Sequence, residues 1–111
     1  MASKLKLISE LYEETIENIS SESDNWRLFL KCASMNYKYN FSEQLLIYAQ
    51  KPNAIACAEL ETWNKDLKRW VNKGAKGIAL LNDDNGYLKL RYVFDVSDTH
   101  HLIKQFLLHL Y

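Results

Sequence analysis

The chain predicts an α+β domain in which N-terminal helices pack on a small antiparallel sheet containing a β-hairpin, with a C-terminal helix to follow. Three observations carry this. Apolar residues recur at spacings of three and four through the first half of the chain, the period of an amphipathic helix. Further on, Asp83-Asp84-Asn85-Gly86 stands between two strand-like runs and is the strongest hairpin-turn signal present. One proline and three glycines in 111 residues favour dense regular elements and a single domain, 1–111.

Leu5, Ile8, Leu11/Tyr12, Thr15/Ile16 and Ile19 mark the first helix, with Glu10, Glu13, Glu14 and Glu17 on its wet side. Ser20-Ser21-Glu22-Ser23 breaks it. Ser23 or Asp24 is placed to cap a second helix whose apolar marks are Trp26, Phe29/Leu30 and Ala33. Tyr37-Lys38-Tyr39-Asn40 is a polar-aromatic link. Asn40-Phe41-Ser42-Glu43 has the form of a capping box and opens a third helix. Leu45-Leu46-Ile47-Tyr48-Ala49 is apolar nearly all round, which places this helix at the centre of the core, and Pro52 ends it near Gln50. Ala54 to Ala58 is either a strand or an extended link. Glu59 to Leu67 reads as a short fourth helix.

Ile78–Leu81 and Tyr87–Asp95 are the hairpin strands. Alternation along the second puts Leu88, Leu90, Tyr92 and Phe94 on a core face, and Tyr87, Lys89, Arg91 and Val93 on a face open to water. Asp95 to Thr99 is a loop in which Ser97 or Asp98 is placed to cap a last helix, marked by Leu102/Ile103, Phe106/Leu107 and Leu110.

Net charge is zero, with 14 cations and 14 anions, which does not by itself suggest a nucleic-acid binder. The distribution differs from the sum: residues 1–62 carry −3 and residues 63–111 carry +3. That layout allows a basic face on a neutral body, or plain solvated surface charge. Cys32 and Cys57 lie far apart in apolar settings and read as reduced, buried thiols of a cytoplasmic protein. The N-terminal residues lack a signal peptide's apolar stretch, and no run is long enough to cross a bilayer, so no membrane is expected.

The stretch 63–81 draws attention. Its first fourteen residues carry Lys65, Lys68, Arg69, Lys73 and Lys76 against Asp66 alone. Lys73-Gly74-Ala75-Lys76-Gly77 is a basic loop in which each glycine permits φ > 0. Backbone N–H groups and two ammonium groups there suit phosphate oxygens. Arg69 and Trp70 precede it, and Arg91 lies on the hairpin. Cations that follow a backbone, beside aromatic faces on which bases stack, are the ingredients of single-strand binding. The competing interpretation is that Trp63 and Trp70 are core residues and the lysines only keep the loop soluble.

No catalytic centre is legible. The histidines, His100, His101 and His109, do not form the His-Glu-x-x-His pattern of zinc proteases. Neither a P-loop nor a Gly-x-Ser-x-Gly elbow occurs, and the cysteines lack zinc-finger spacing. A metal held by Asp95, Asp98, His100 and His101 is the weakest of the readings. No cofactor is expected.

Four motifs in order resemble the N-terminal domain of ArdC-type antirestriction proteins, a domain that also opens TraC-type plasmid primases and LtrC-like proteins of conjugative elements. They are Leu45-Leu46-Ile47-Tyr48-Ala49-Gln50-Lys51-Pro52-Asn53-Ala54; Trp63; Arg69-Trp70-Val71-Asn72-Lys73-Gly74-Ala75-Lys76-Gly77-Ile78; and Tyr92-Val93-Phe94-Asp95-Val96-Ser97-Asp98-Thr99. The likeness spans about residues 24–99. It implies a non-catalytic single-stranded DNA-binding module, a mobile-element setting and further domains in a larger parent protein. The family loop often has Lys where Asn72 stands and Glu where Ala75 stands, and usually has Asn where Gln44 stands. The expected contacts are phosphates on Arg69, Lys73 and Lys76, with Lys68 and Arg91 weaker, and bases stacked on Trp70 and on Tyr37 or Tyr39. The rival expectation is a protein–protein docking module using the aromatic link at 37–41 or the apolar stripe at 102–110.

Overall fold

The computed structural model describes residues 3–101. It has an α+β fold: three N-terminal helices followed by small antiparallel sheets, with a strand at the C-terminal end of the described chain. The helix expected over residues 102–110 lies outside the described residues.

Helix α1 (Lys4–Ser21) is capped by the Ser3 hydroxyl, and its glutamates at 10, 13, 14 and 17 are exposed as its periodicity requires. Helix α2 (Ser23–Met35) starts after Glu22, with no side-chain cap from that residue. The expected capping by Ser23 or Asp24 therefore does not occur, because both already lie inside the helix. Helix α3 (Phe41–Gln50) has its capping box: Asn40 Oδ1 accepts from Glu43 N at 2.9 Å and Glu43 Oε1 accepts from Asn40 N at 3.2 Å. Leu45, Leu46 and Ile47 are fully buried, so α3 is the central helix. Gln44 turns back to the C-terminal end of α2, its amide donating to the carbonyls of Ala33 and Asn36.

Strand β1 (Cys57–Ala58) is short. A helical turn follows, but Thr62–Asp66 is wound as a π-helix rather than the expected α-helix. Lys68 then takes φ +54, which stops any helix and starts β2 (Arg69–Val71). The hairpin strands are β3 (Ile78–Asp84) and β4 (Tyr87–Asp95), and Asn85 and Gly86, both at positive φ, form the two-residue turn. That is the primed geometry whose twist suits paired strands. A 3-10 turn (Val96–Asp98) leads to β5 (Thr99–His101).

One sheet has the order β1-β4-β3, and a second is the pair β2-β5, in the register Arg69↔His101, Trp70↔His100 and Val71↔Thr99. The main core joins Ile8, Cys32, Leu46 and Ile47 to Ala54, Ile78, Leu80 and Val93. A second cluster sets Phe29 edge-on to Phe41 and Tyr48, with ring centroids 5.7 Å apart in each case.

The expected facing of β4 holds at Tyr87, Lys89 and Leu90, which packs against the core, and fails at Leu88 and over residues 91–93. Val93 is fully buried, Tyr92 is 44% exposed and Leu88 is exposed. The helices cover the Arg91-Val93-Asp95 face, and alternation favoured the opposite set because Leu88, Leu90, Tyr92 and Phe94 are the more uniformly apolar. Trp63 is 4% exposed and donates its indole N–H to the Phe94 carbonyl at 2.9 Å, which makes it a core residue.

Candidate nucleic-acid interface

The basic loop joins the two sheets, running from the end of β2 to the start of β3. A turn closes between Asn72 O and Ala75 N at 3.0 Å. Gly74, at φ +85, supplies the left-handed residue that this turn requires. Gly77 does not take the positive φ expected of it. A Cβ there would stand 3.2 Å from Tyr92 Cβ, so Gly77 is needed for close approach to β4. Asn72 anchors the loop: its N–H donates to the Asp98 carbonyl at 2.8 Å, and its Oδ1 lies 2.5 Å from His100 Nδ1. The residue that replaces a lysine of the resembled family thus positions the loop.

Lys68, Lys73 and Lys76 are exposed, and among the described residues no carboxylate pairs with any of them. Arg69 differs. Its Nε donates to Thr99 Oγ1 at 2.7 Å, its Nη2 to the Thr99 carbonyl at 3.2 Å and its Nη1 to His101 Nε2 at 2.5 Å. The guanidinium fastens β5 to β2, so the phosphate contact expected of it competes with contacts already made.

Arg91 is engaged still more fully. It pairs with Glu43 at the start of α3, reaches Glu59 at 2.8 Å and stands 5.8 Å from the centre of the Tyr39 ring. Partial burial alone would lower its pKa, but the hydrogen bond and charge of Glu43, with Glu59, raise it, so the guanidinium stays charged. It faces the helices rather than the water-exposed face expected from the alternation.

The aromatic candidates divide as well. Tyr37 is 73% exposed. Tyr39 is part-buried and donates its hydroxyl to the Cys57 carbonyl at 2.8 Å; burial, with the nearby Cys57, pushes its pKa up to about 12. Trp70 is half-buried, and its indole N–H is enclosed with no hydrogen-bond partner among the described residues. Tyr37 and Tyr39 line a groove of about 560 Å³ with Met35, Ile55, Trp63 and Leu67. Lys68 follows Leu67 in the chain but does not line this groove. Lys76 lines a different concavity, of about 360 Å³, shared with Lys51 and Asp98. Neither concavity contains both the loop lysines and the tyrosines.

Asp95 is the buried group that organises this end of the molecule. Its Oδ1 accepts from Ile55 N at 2.8 Å and Ala56 N at 2.9 Å, and its Oδ2 from Ser97 N at 3.1 Å and Ser97 Oγ at 2.6 Å. Desolvation pushes its pKa up, but the bonds from Ser97, Ala56 and Ile55 outweigh that and hold it below the usual carboxylate range. Asp95 thereby caps the 3-10 turn; the last helix that Ser97 or Asp98 was expected to cap lies outside the described residues. Asp98 pairs with Lys51 at 3.5 Å. Among the described residues no three His, Cys, Asp or Glu side chains gather where they could hold a metal. Both cysteines are free thiols, with pKa values raised first by burial, that of Cys57 to about 12. Among the described residues no helix is long and apolar enough to cross a membrane.

Gln50 and Lys51 are residues that the sequence did not single out. The Gln50 side chain donates to the Ala79 carbonyl at 2.8 Å and accepts from Ala79 N at 2.9 Å, pairing with β3 as a neighbouring strand would. Its place two residues before the proline that ends α3 was the available signal. Comparison of the chain with protein-family models, curated proteins and solved structures returned no match.

Proposed function

We propose that this chain is a non-catalytic module that binds single-stranded DNA with little sequence preference. The observation that carries the reading is the set of three exposed ammonium groups, Lys68, Lys73 and Lys76, without carboxylate partners among the described residues, on a segment whose backbone is tied down at Asn72. Unpaired cations on an ordered loop gain by releasing a polynucleotide's counterions and lose little conformational freedom in doing so. Tyr37 offers an open ring for stacking, and a stacked base is worth about 1–3 kcal/mol. Arg69 and Arg91 act as positioning residues, the first holding β5 beside the loop and the second holding α3 against β4. The mobile-element setting, the antirestriction context and the further domains of a parent protein rest on the four sequence motifs alone, and the cytoplasmic location on the free thiols Cys32 and Cys57.

Three phosphates neutralised give a log–log salt slope near −2 on a single strand. Titration of a fluorescent oligonucleotide at two salt concentrations tests this. Wild type that binds no better than a Lys73→Ala/Lys76→Ala double variant removes the loop as the site.

A second reading, a protein-docking module, is favoured by one observation. The groove at Tyr37 and a neighbouring apolar concavity of about 420 Å³ share Met35 and Ile55, both more than half exposed. Light scattering separates the two: a tight dimer that does not shift on adding oligonucleotide supports docking.

A further inference from the structure

Lys51 closes α3, and its backbone is fixed on both sides: its N–H donates to the Ile47 carbonyl at 2.7 Å, and its own carbonyl accepts from Ala54 N at 3.0 Å. Its ammonium lies 3.5 Å from Asp98 Oδ2, both side chains being about a quarter to a third exposed. The Asp98 backbone is in turn bonded to the root of the basic loop through Asn72. Lys51, Asp98 and Lys76 therefore line one concavity of about 360 Å³, with Gln50, Gly77 and Ile78. Gln50 ties the floor of that concavity to β3 through both backbone groups of Ala79. The concavity presents two ammonium groups and one carboxylate, on three segments: two joined by the Asn72–Asp98 backbone bond, and the third tied to β3 by the Gln50 side chain.

A part-exposed pair at this separation contributes little to stability, so its exchange for another anion is cheap. A phosphate oxygen between Lys51 and Lys76 would accept from both, while the Asp98 carboxylate returns to water. We infer that Lys51 is a further phosphate-contacting residue, gripping with Lys76 one phosphodiester of the bound strand, and that Asp98 occupies the Lys51 ammonium until the strand displaces it. This inference rests on the single-strand reading above. It adds to the site a residue from α3 and an internal anion that sets the affinity of that contact.

Anisotropy titration of a labelled oligothymidylate at several salt concentrations tests it. Lys51→Gln should weaken binding about three- to tenfold and reduce the magnitude of the salt slope by about 0.7, the loss of one phosphate contact. Lys51→Arg should retain both affinity and slope. Asp98→Asn should tighten binding by a similar factor, and that gain should vanish in the Lys51→Gln background. Thermal unfolding of each variant, with midpoints expected to match wild type, ties the changes to the contact and not to the fold. Unchanged affinity and slope in Lys51→Gln, while Lys73→Ala/Lys76→Ala binds weakly, overturns the inference and leaves the single-strand reading standing. A gain from Asp98→Asn that persists without Lys51 overturns the displacement step. Wild type that binds no better than the loop double variant removes the single-strand reading and this inference with it.

Discussion

Arg91 and Lys73 are both cations on the sheet side of the molecule, and their surroundings are opposite. Arg91 has a carboxylate on α3, a second at Glu59 and a phenol ring beside it. Lys73 stands on an exposed turn with no carboxylate partner among the described residues. The same contrast holds between Asp95, whose carboxylate accepts four hydrogen bonds, and the loop, whose ammonium groups meet water. Around β4 the charged groups have spent their bonding capacity on the fold. Between β2 and β3 the fold holds the backbone and leaves the charges uncommitted. A charged group is most readily available to a partner where the structure does not already use it, and the region between β2 and β3 meets that condition.

The contrast can be broken in order of effect. Asp95→Ala should cost the most, about 4 kcal/mol in urea denaturation, because four donors lose a charged acceptor in a buried site. The pH dependence has a definite sign. With the folded pKa depressed, the stabilisation is present above about pH 4 and is lost as pH falls through the lower folded value, and Asp95→Asn should flatten that acid limb. Arg91→Met comes next, at about 2 kcal/mol, since Glu43 is left largely buried without its partner. Oligonucleotide affinity under native conditions should not change in that variant. A large loss of affinity there would move Arg91 into the site and sharpen the comparison in the other direction.

Gly74→Ala and Gly77→Ala should each cost about 1 kcal/mol, the first through a positive φ and the second through contact with Tyr92. Calorimetry distinguishes them when Gly74→Asn is added, because asparagine tolerates the left-handed region and relieves only the first. Smallest of all, replacing Lys68, Lys73 and Lys76 together by glutamine should leave stability within about 0.5 kcal/mol while most oligonucleotide binding disappears. Stability falling by several kcal/mol in that triple variant would mean that the loop lysines belong to the fold.

The helices were readable because each depends on local signals: the 3.6-residue period of α1, the Asn40–Glu43 box of α3, and Pro52 after it. The hairpin was readable because Asn85-Gly86 leaves few other turn geometries. The facing of β4 was not, since Leu88, Leu90, Tyr92 and Phe94 look more apolar than Arg91 and Val93, and the helices that bury Val93 and pair Glu43 with Arg91 come from far earlier in the chain. The pairing of β2 with β5 joins residues about thirty positions apart, and no local pattern announces it. For the same reason Arg69 looked like a free cation, although its acceptors at Thr99 and His101 were in plain sight in the sequence. Trp63 and Trp70 could be told apart only by their partners, an accepting carbonyl for one and an enclosed N–H for the other.

The link from Arg69 to Thr99 and His101 also constrains how this polypeptide can be trimmed. A version cut just after Asp98 keeps all three helices and the hairpin, yet deprives the stretch before the lysines of its only paired neighbour among the described residues. Such a shortened form would hold its cations by the Asn72–Asp98 bond without the strand pairing beside it, so any trimming intended to preserve ligand affinity has to leave residues 99–101 in place.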